Sequence, residues 1–289
     1  AKATIGTTTG NRASLTISNI DKIKPKITWT SYGGDYVKGN VNAGMTVRVT
    51  DDGGSGISGT FYGISYSQNQ VPGYVSLPSD GVISLANYDS GEYYIWVKAI
   101  DNAGNVTDKT SGPFRIVVAQ VASTGAYYTT IQGAVEAAGI SDTITMLTSV
   151  VQSISTLNNK SITLNLNNCT IYGWIDAQNG AITVNGGGTI TGSGSYANTG
   201  TACGIFVNGG TVTINSGTIN SAGRSAIGMA SGTLNINGGT ISGADINKHA
   251  IWASGGNINV AGGSIVGGSS AGGAICLSDA FAGATTITG

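Results

Sequence analysis

Charge is what this chain has least of. Asp, Glu, Lys and Arg together supply 9% of its 289 residues, and the net charge is −1. A nucleic-acid binder needs a basic stripe, and a protein drawn to an anionic membrane needs a basic patch. Neither electrostatic footprint is present. No apolar run approaches the length of a membrane span. Cysteine is scarce too. Cys169, Cys203 and Cys276 are odd in number and unevenly spaced, which argues against a disulfide framework and against a zinc site. They read as free, packed thiols. Helix formers give way to β-branched residues and turn formers, with 47 glycines, so the chain reads as all-β. Its length suits about two domains.

What is present is a repeat. Ile205, Ile227, Ile251 and Ile275 recur at a near-constant interval, each in a short apolar strand. A second strand follows (Val212–Ile214, Leu234–Ile236, Ile258–Val260), then a third (Gly217–Ile219, Gly239–Ile241, Gly263–Ile265). Three strands per turn at this period make a coil that cannot bury its apolar side alone, so coils must stack. Three inward columns are expected: Ile175, Ile205, Ile227, Ile251 and Ile275; Leu166, Val184, Ile214, Ile236 and Val260; Ile171, Ile190, Ile219, Ile241 and Ile265. Asn167, Asn185, Asn215 and Asn237 follow the second column, and then Ala261. Asn tolerates the left-handed backbone of a tight turn, and stacked amides can hydrogen-bond along the coil axis.

Residues 22–119 are organised differently. Strand candidates (Ile27–Trp29, Met45–Val49, Phe61–Ile64, Val82–Leu85, Tyr94–Val97, Phe114–Val117) alternate with turn signals such as Asp52-Gly53-Gly54 and Pro72-Gly73. About 100 residues and roughly seven strands suit an immunoglobulin-like sandwich. The stretches Thr50–Ile57 and Lys98–Asn105 resemble bacterial Ig-like repeats of surface proteins. Gly10-Asn11 before Leu15-Thr16-Ile17 echoes Gly104-Asn105 before Phe114-Arg115-Ile116, so residues 1–21 are expected to be the tail of a preceding repeat.

Between the two regions, Ile131, Ala134, Val135 and Ala138 hold helical spacing. This predicts a short helix over about 129–138, capped by Thr129 or Thr130, then a strand at Asp142–Leu147. The run Tyr128-Thr129-Thr130-Ile131-Gln132-Gly133-Ala134-Val135 and the strand after it resemble the N-terminal cap of right-handed parallel β-helices of the pectate-lyase-like class. The resemblance covers residues 120–289 and implies a three-strand coil whose open end is plugged by the helix. Thr285–Gly289 stops midway through a coil, so truncation at the C-terminus is expected.

The outward position after each first-strand isoleucine runs Asp176, Phe206, Gly228, Trp252, Cys276. Phe206 and Trp252 are then two coils apart, about 10 Å by strand spacing, with a gap at Gly228. Exposed aromatics on a flat face are platforms for sugar rings. Arg224 and Lys248 precede Ile227 and Ile251 by the same interval, Asp245 and His249 lie beside Lys248, and the insertion Ser193–Cys203 brings Tyr196. Asp176, Tyr196, Phe206, Arg224, Asp245, Lys248, His249 and Trp252 are therefore expected to line one ligand-binding surface. Lyases of the resembled class use a basic residue with calcium-bound carboxylates. Here Asp142, Asp176 and Asp245 are the only acids between residues 137 and 278, too few for a calcium site of several oxygens or for paired catalytic carboxylates. No catalytic residue and no metal site is assigned on the coils. Gly268–Gly272 formally matches a nucleophile elbow, but it sits in an inter-coil loop without the strand–turn–helix that the motif needs. In the first region Asp51, Asp52 and Asp101 are candidates for a calcium ion, the one cofactor left open.

The chain is thus expected to be part of a secreted or cell-wall-associated bacterial protein. Its coils would bind a polysaccharide or host-surface glycan without catalysis. The Ig-like region would act as a spacer, with no nucleic-acid partner, no membrane insertion and a monomeric state. The alternatives are a polysaccharide lyase or glycoside hydrolase acting on a polyuronate or related glycan, and a purely structural stalk.

Overall fold

The computed structural model describes residues 20–157, 159–193, 203–243, 248–268 and 272–288. Strands dominate, and parallel sheets account for the second half of the chain. The expected tail over residues 1–21 lies almost wholly outside the described residues.

The first eight strands are β1 (Lys26–Trp29), β2 (Gly34–Val37), β3 (Gly44–Thr50), β4 (Ile57–Ser65), β5 (Val75–Ser76), β6 (Val82–Ser84), β7 (Gly91–Asp101) and β8 (Val106–Val117). They form two sheets, ordered β1-β3-β6 and β2-β8-β7-β4-β5. Every pairing is antiparallel except that of β2 with β8. In β7 every second residue from Tyr93 to Asp101 is buried, the alternation of a strand with one dry face. Tyr93, Ile95, Val97 and Ala99 join Ile27, Met45, Val47 and Ile83 of the smaller sheet in a single core. Fully burying one such aliphatic side chain contributes about 1.5–3 kcal/mol.

After β8 the chain enters a second core. β9 (Ala119–Val121) pairs antiparallel with β10 (Tyr127–Tyr128) and, on its other side, with β11 (Asp142–Met146). Between them lies α1 (Ile131–Ala137). Of the two threonines offered by the sequence, Thr130 is the cap: its Oγ1 accepts the Gly133 N–H at 3.0 Å. Ile131, Ala134 and Val135 turn the apolar stripe of α1 into the core.

The remaining strands are β12 (Ser161–Asn165), β13 (Thr170–Tyr172), β14 (Ile175–Gln178), β15 (Ala181–Asn185), β16 (Thr189–Gly192), β17 (Ile205–Ile214), β18 (Thr218–Ser221), β19 (Ile227–Ile236), β20 (Thr240–Ser242), β21 (Ile251–Val260), β22 (Ser264–Val266) and β23 (Ile275–Ile287). From β12 to β23 the chain shuttles between two parallel sheets. One runs β11-β12-β15-β17-β19-β21-β23, with β14 also against β17; the other runs β13-β16-β18-β20-β22. The first isoleucine column is in register from Ile175 through Ile205, Ile227 and Ile251 to Ile275. So is the third, from Ile171 to Ile265. The second begins differently. Leu164, not Leu166, pairs with Val184. A slip by two positions keeps a side chain on the same face, so alternation alone does not separate the two leucines, and both are fully buried. A further inward column runs Ile162, Ile182, Val212, Leu234, Ile258.

The expected three strands per coil are met only in part. In β17, β19 and β21 the first two segments are one continuous strand. The bend within each holds a glycine at positive φ: Gly209, Gly232 and Gly256 at +87°, +93° and +92°. The earlier rung keeps β14 and β15 separate, with Asn179 at +51° between them. The next corner repeats the device with Gly217, Gly239 and Gly263. Asn167 does take left-handed backbone (φ +48°). Asn185, Asn215 and Asn237 hydrogen-bond along the axis instead: Asn215 Nδ2 donates to Asn185 Oδ1 and Asn237 Nδ2 to Asn215 Oδ1, both at 2.9 Å. Asn165 precedes them in register, while Asn167 donates to the Met146 carbonyl.

Candidate functional site

The outward column beside the first isoleucines is in register as Asp176–Phe206–Gly228–Trp252–Cys276. Its members differ in access to solvent. Trp252 is 41% exposed. Phe206 is half-buried. A Cβ placed on Gly228 would meet the Cys203 Sγ at 2.9 Å and the Phe206 ring at 3.1 Å. The gap expected at Gly228 is therefore filled by the Phe206 ring and the Cys203 thiol, because an aromatic ring leans into the one position of the column that has no side chain. Burial pushes the Cys203 thiol above its ordinary pKa, and the nearby Arg224 guanidinium opposes this. The thiol is held protonated and is a poor nucleophile.

Asp176 does not face open solvent. It is 6% exposed and sits between two neighbouring rungs. Its N–H donates to the Ile154 carbonyl at 2.8 Å on one side, and Phe206 is its strand partner on the other. It leaves the solvent-facing set. Arg224 is exposed, and Lys248 and His249 are half-buried. The latter pair is pinned to the following loop: the Gly268 N–H donates to the Lys248 carbonyl at 2.7 Å, and the Gly273 N–H to His249 Nδ1 at 3.0 Å. A neutral His249 accepting at Nδ1 carries its proton on Nε2. Tyr196 and Asp245 lie outside the described residues, as do Ser269, Ser270 and Ala271 of the elbow-like stretch. The structure thus brings Trp252, Lys248 and His249 together on one rung, with Arg224 on the rung before.

The first region holds a second group. Asp21, Asp51 and Asp101 bring carboxylate oxygens within 4.8 Å of one another. Asp52, expected from the sequence, is not in the group; Asp21 takes its place. Asp101 is buried and accepts from the Asn105 N–H and Nδ2, both at 2.8 Å. Asp51 accepts from the Gly53 and Gly56 N–H groups at 3.0 and 2.6 Å. The Ser55 side chain and the Ile23 N–H hold the Asp21 carboxyl below its ordinary pKa. One oxygen from each of the three side chains supplies three of the roughly six to eight that calcium takes. Sequence reasoning misses Asp21 because it stands far ahead of Asp51 in the chain, in what reads as a linker. Its only sequence signal is an Asp shortly before an apolar residue, an ordinary turn pattern.

Comparison with known protein families, with curated proteins and with solved structures finds no match.

Proposed function

We propose that this chain is an extracellular, non-catalytic glycan-binding segment of a bacterial surface or secreted protein. In this reading residues 22–119 are an Ig-like sandwich acting as a spacer. Residues 120–289 are a right-handed parallel β-helix that carries the binding face. What supports the fold reading is the residue-by-residue register of the isoleucine columns and the helix α1 that precedes the parallel strands. The observation that carries the function is Trp252. A large aromatic side chain that is 41% exposed on a flat, registered strand face offers a π-surface to the C–H face of a sugar ring. Lys248 and His249 on the same rung supply donors to its hydroxyl or carboxyl groups. The platform narrows from two aromatics to one, since Phe206 packs over Gly228.

Catalysis is disfavoured by the same face. The described first-strand positions from β14 to β21 offer one carboxylate, Asp176, and it is buried. Glycan-array binding by the chain and by Trp252→Ala tests the proposal. Binding that falls at least tenfold in the variant supports it. Equal binding by both removes the platform, and release of unsaturated sugars from polyuronate would replace it with a lyase.

A further inference from the structure

The geometry points to a joint without a hinge between the two cores, so that the first fixes the orientation of the Trp252 face. Separate cores joined by one crossing usually move against each other unless the contact is extensive. A hinge needs a few residues free to change φ and ψ. This crossing has none. β8 ends at Val117 and β9 starts at Ala119, leaving only Val118. Val117 still pairs with Val37 in the first part. Val118 is fully buried in the second core. Its N–H donates to the Tyr128 carbonyl and its carbonyl accepts the Leu147 N–H, both at 2.8 Å.

Two side-chain clamps flank the crossing. Arg115 on β8 is ion-paired to Asp35 on β2 at 3.1 Å and donates through Nη2 to the Tyr127 carbonyl on β10. Gln152 works from the other direction. Its Nε2 donates to Ser90 Oγ at 2.9 Å, just before β7, and to the Thr129 carbonyl at 3.2 Å. Its Oε1 accepts the Ile131 N–H at 2.8 Å, at the start of α1. One amide thus ties the first part, the loop before the helix and the helix N-terminus. A cavity of about 280 Å³, lined by Lys38, Asp89, Ser90 and Ser149–Gln152, lies beside this clamp. Rotation about Val118 would break these contacts together, since they lie on opposite flanks of one backbone passage.

The test is a spin–spin distance distribution on the full chain, with labels at Tyr66→Cys and Tyr172→Cys, both exposed. The three native cysteines are replaced by serine. The expected distribution is as narrow as that of a label pair placed within one sheet. Ser90→Ala, which removes only the first part's share of the Gln152 clamp, broadens it measurably. A short Gly-Ser insertion after Val118 broadens it several-fold and serves as the hinged reference. A parent distribution as wide as that reference overturns the proposal. So does an unchanged width in both variants. If serine replacement prevents folding, rotational correlation times from backbone relaxation of the unlabelled chain decide the matter: one common value is expected, and two separate values overturn it.

Discussion

The ammonium of Lys160 lies 3.0 Å from the carbonyl oxygen of Val135. It also donates to the Glu136 carbonyl and, at 2.8 Å, to that of Ala138. These are the carbonyls at the C-terminal end of α1, which have no partner further along the helix. A lysine just ahead of β12 therefore acts as a C-terminal cap, and its charge complements the negative end of the helix dipole.

Replacing Lys160 with Met keeps the aliphatic stem and deletes the donors. The expected cost is about 1–2 kcal/mol, set by charge-assisted hydrogen bonds and the dipole. The midpoint of chemical denaturation should fall, and amides of α1 should exchange faster. Unchanged exchange in α1 would show that packing alone holds the helix.

Gly256 and Gly139 offer a paired comparison. Gly256 sits at φ +92°, and a Cβ there would crowd the Met229 side chain and approach the Gly232 carbonyl at 2.7 Å. Gly256→Ala is expected to cost about 1–3 kcal/mol through backbone strain and crowding. Gly139 has open space within 4 Å of its Cβ direction, so Gly139→Ala is expected to stay within about 0.5 kcal/mol. Thermal or urea denaturation of the two variants reads the contrast directly.

Asp142 sets an acid limit. Its carboxylate accepts from the Ser123 hydroxyl, from the Thr143 and Ser123 N–H groups at 2.8 and 3.2 Å, and from Gly139 N–H at 3.4 Å. The Ser123 hydroxyl is the main reason its pKa lies below the ordinary value, and burial partly opposes it. A group with a lowered folded-state pKa stabilises the protein above its unfolded value near 4. That contribution is lost as pH falls through the folded value. Stability should therefore drop below about pH 4, and Asp142→Asn should flatten that limb while lowering stability at neutral pH. An acid limb of the same steepness in the variant would assign it to other carboxylates.

Much of the parallel strand register was legible because its signal is periodic. An isoleucine that recurs at a steady interval, flanked by glycine turns, has few ways to be buried other than over its own copies. The start of the second column is illegible because Leu164 and Leu166 share a face, and only the neighbouring rung chooses between them. β2 and β5 carry too little apolar content to announce themselves. β2 is held by its pairing with β8, a strand distant in the chain that places Arg115 opposite Asp35. The site was legible as a column but not as a surface. Which outward side chain reaches solvent depends on what leans over it, as Phe206 does over Gly228 and as the flanking rungs do over Asp176. Such contacts have no local pattern in the sequence.

From Ile205 onward the spacing between columns is uneven in one place only. From Ile205 to Ile214, Ile227 to Ile236 and Ile251 to Val260 the interval is constant, as it is onward to Ile219, Ile241 and Ile265. The return from the third column to the first varies: it is shorter between Ile219 and Ile227 than between Ile241 and Ile251 or between Ile265 and Ile275. Insertions at that return leave every inward residue where it was. The rim beside Trp252 can therefore be lengthened, shortened or rewritten while the scaffold underneath keeps its pitch, much as the margin of a page can be annotated without resetting the type.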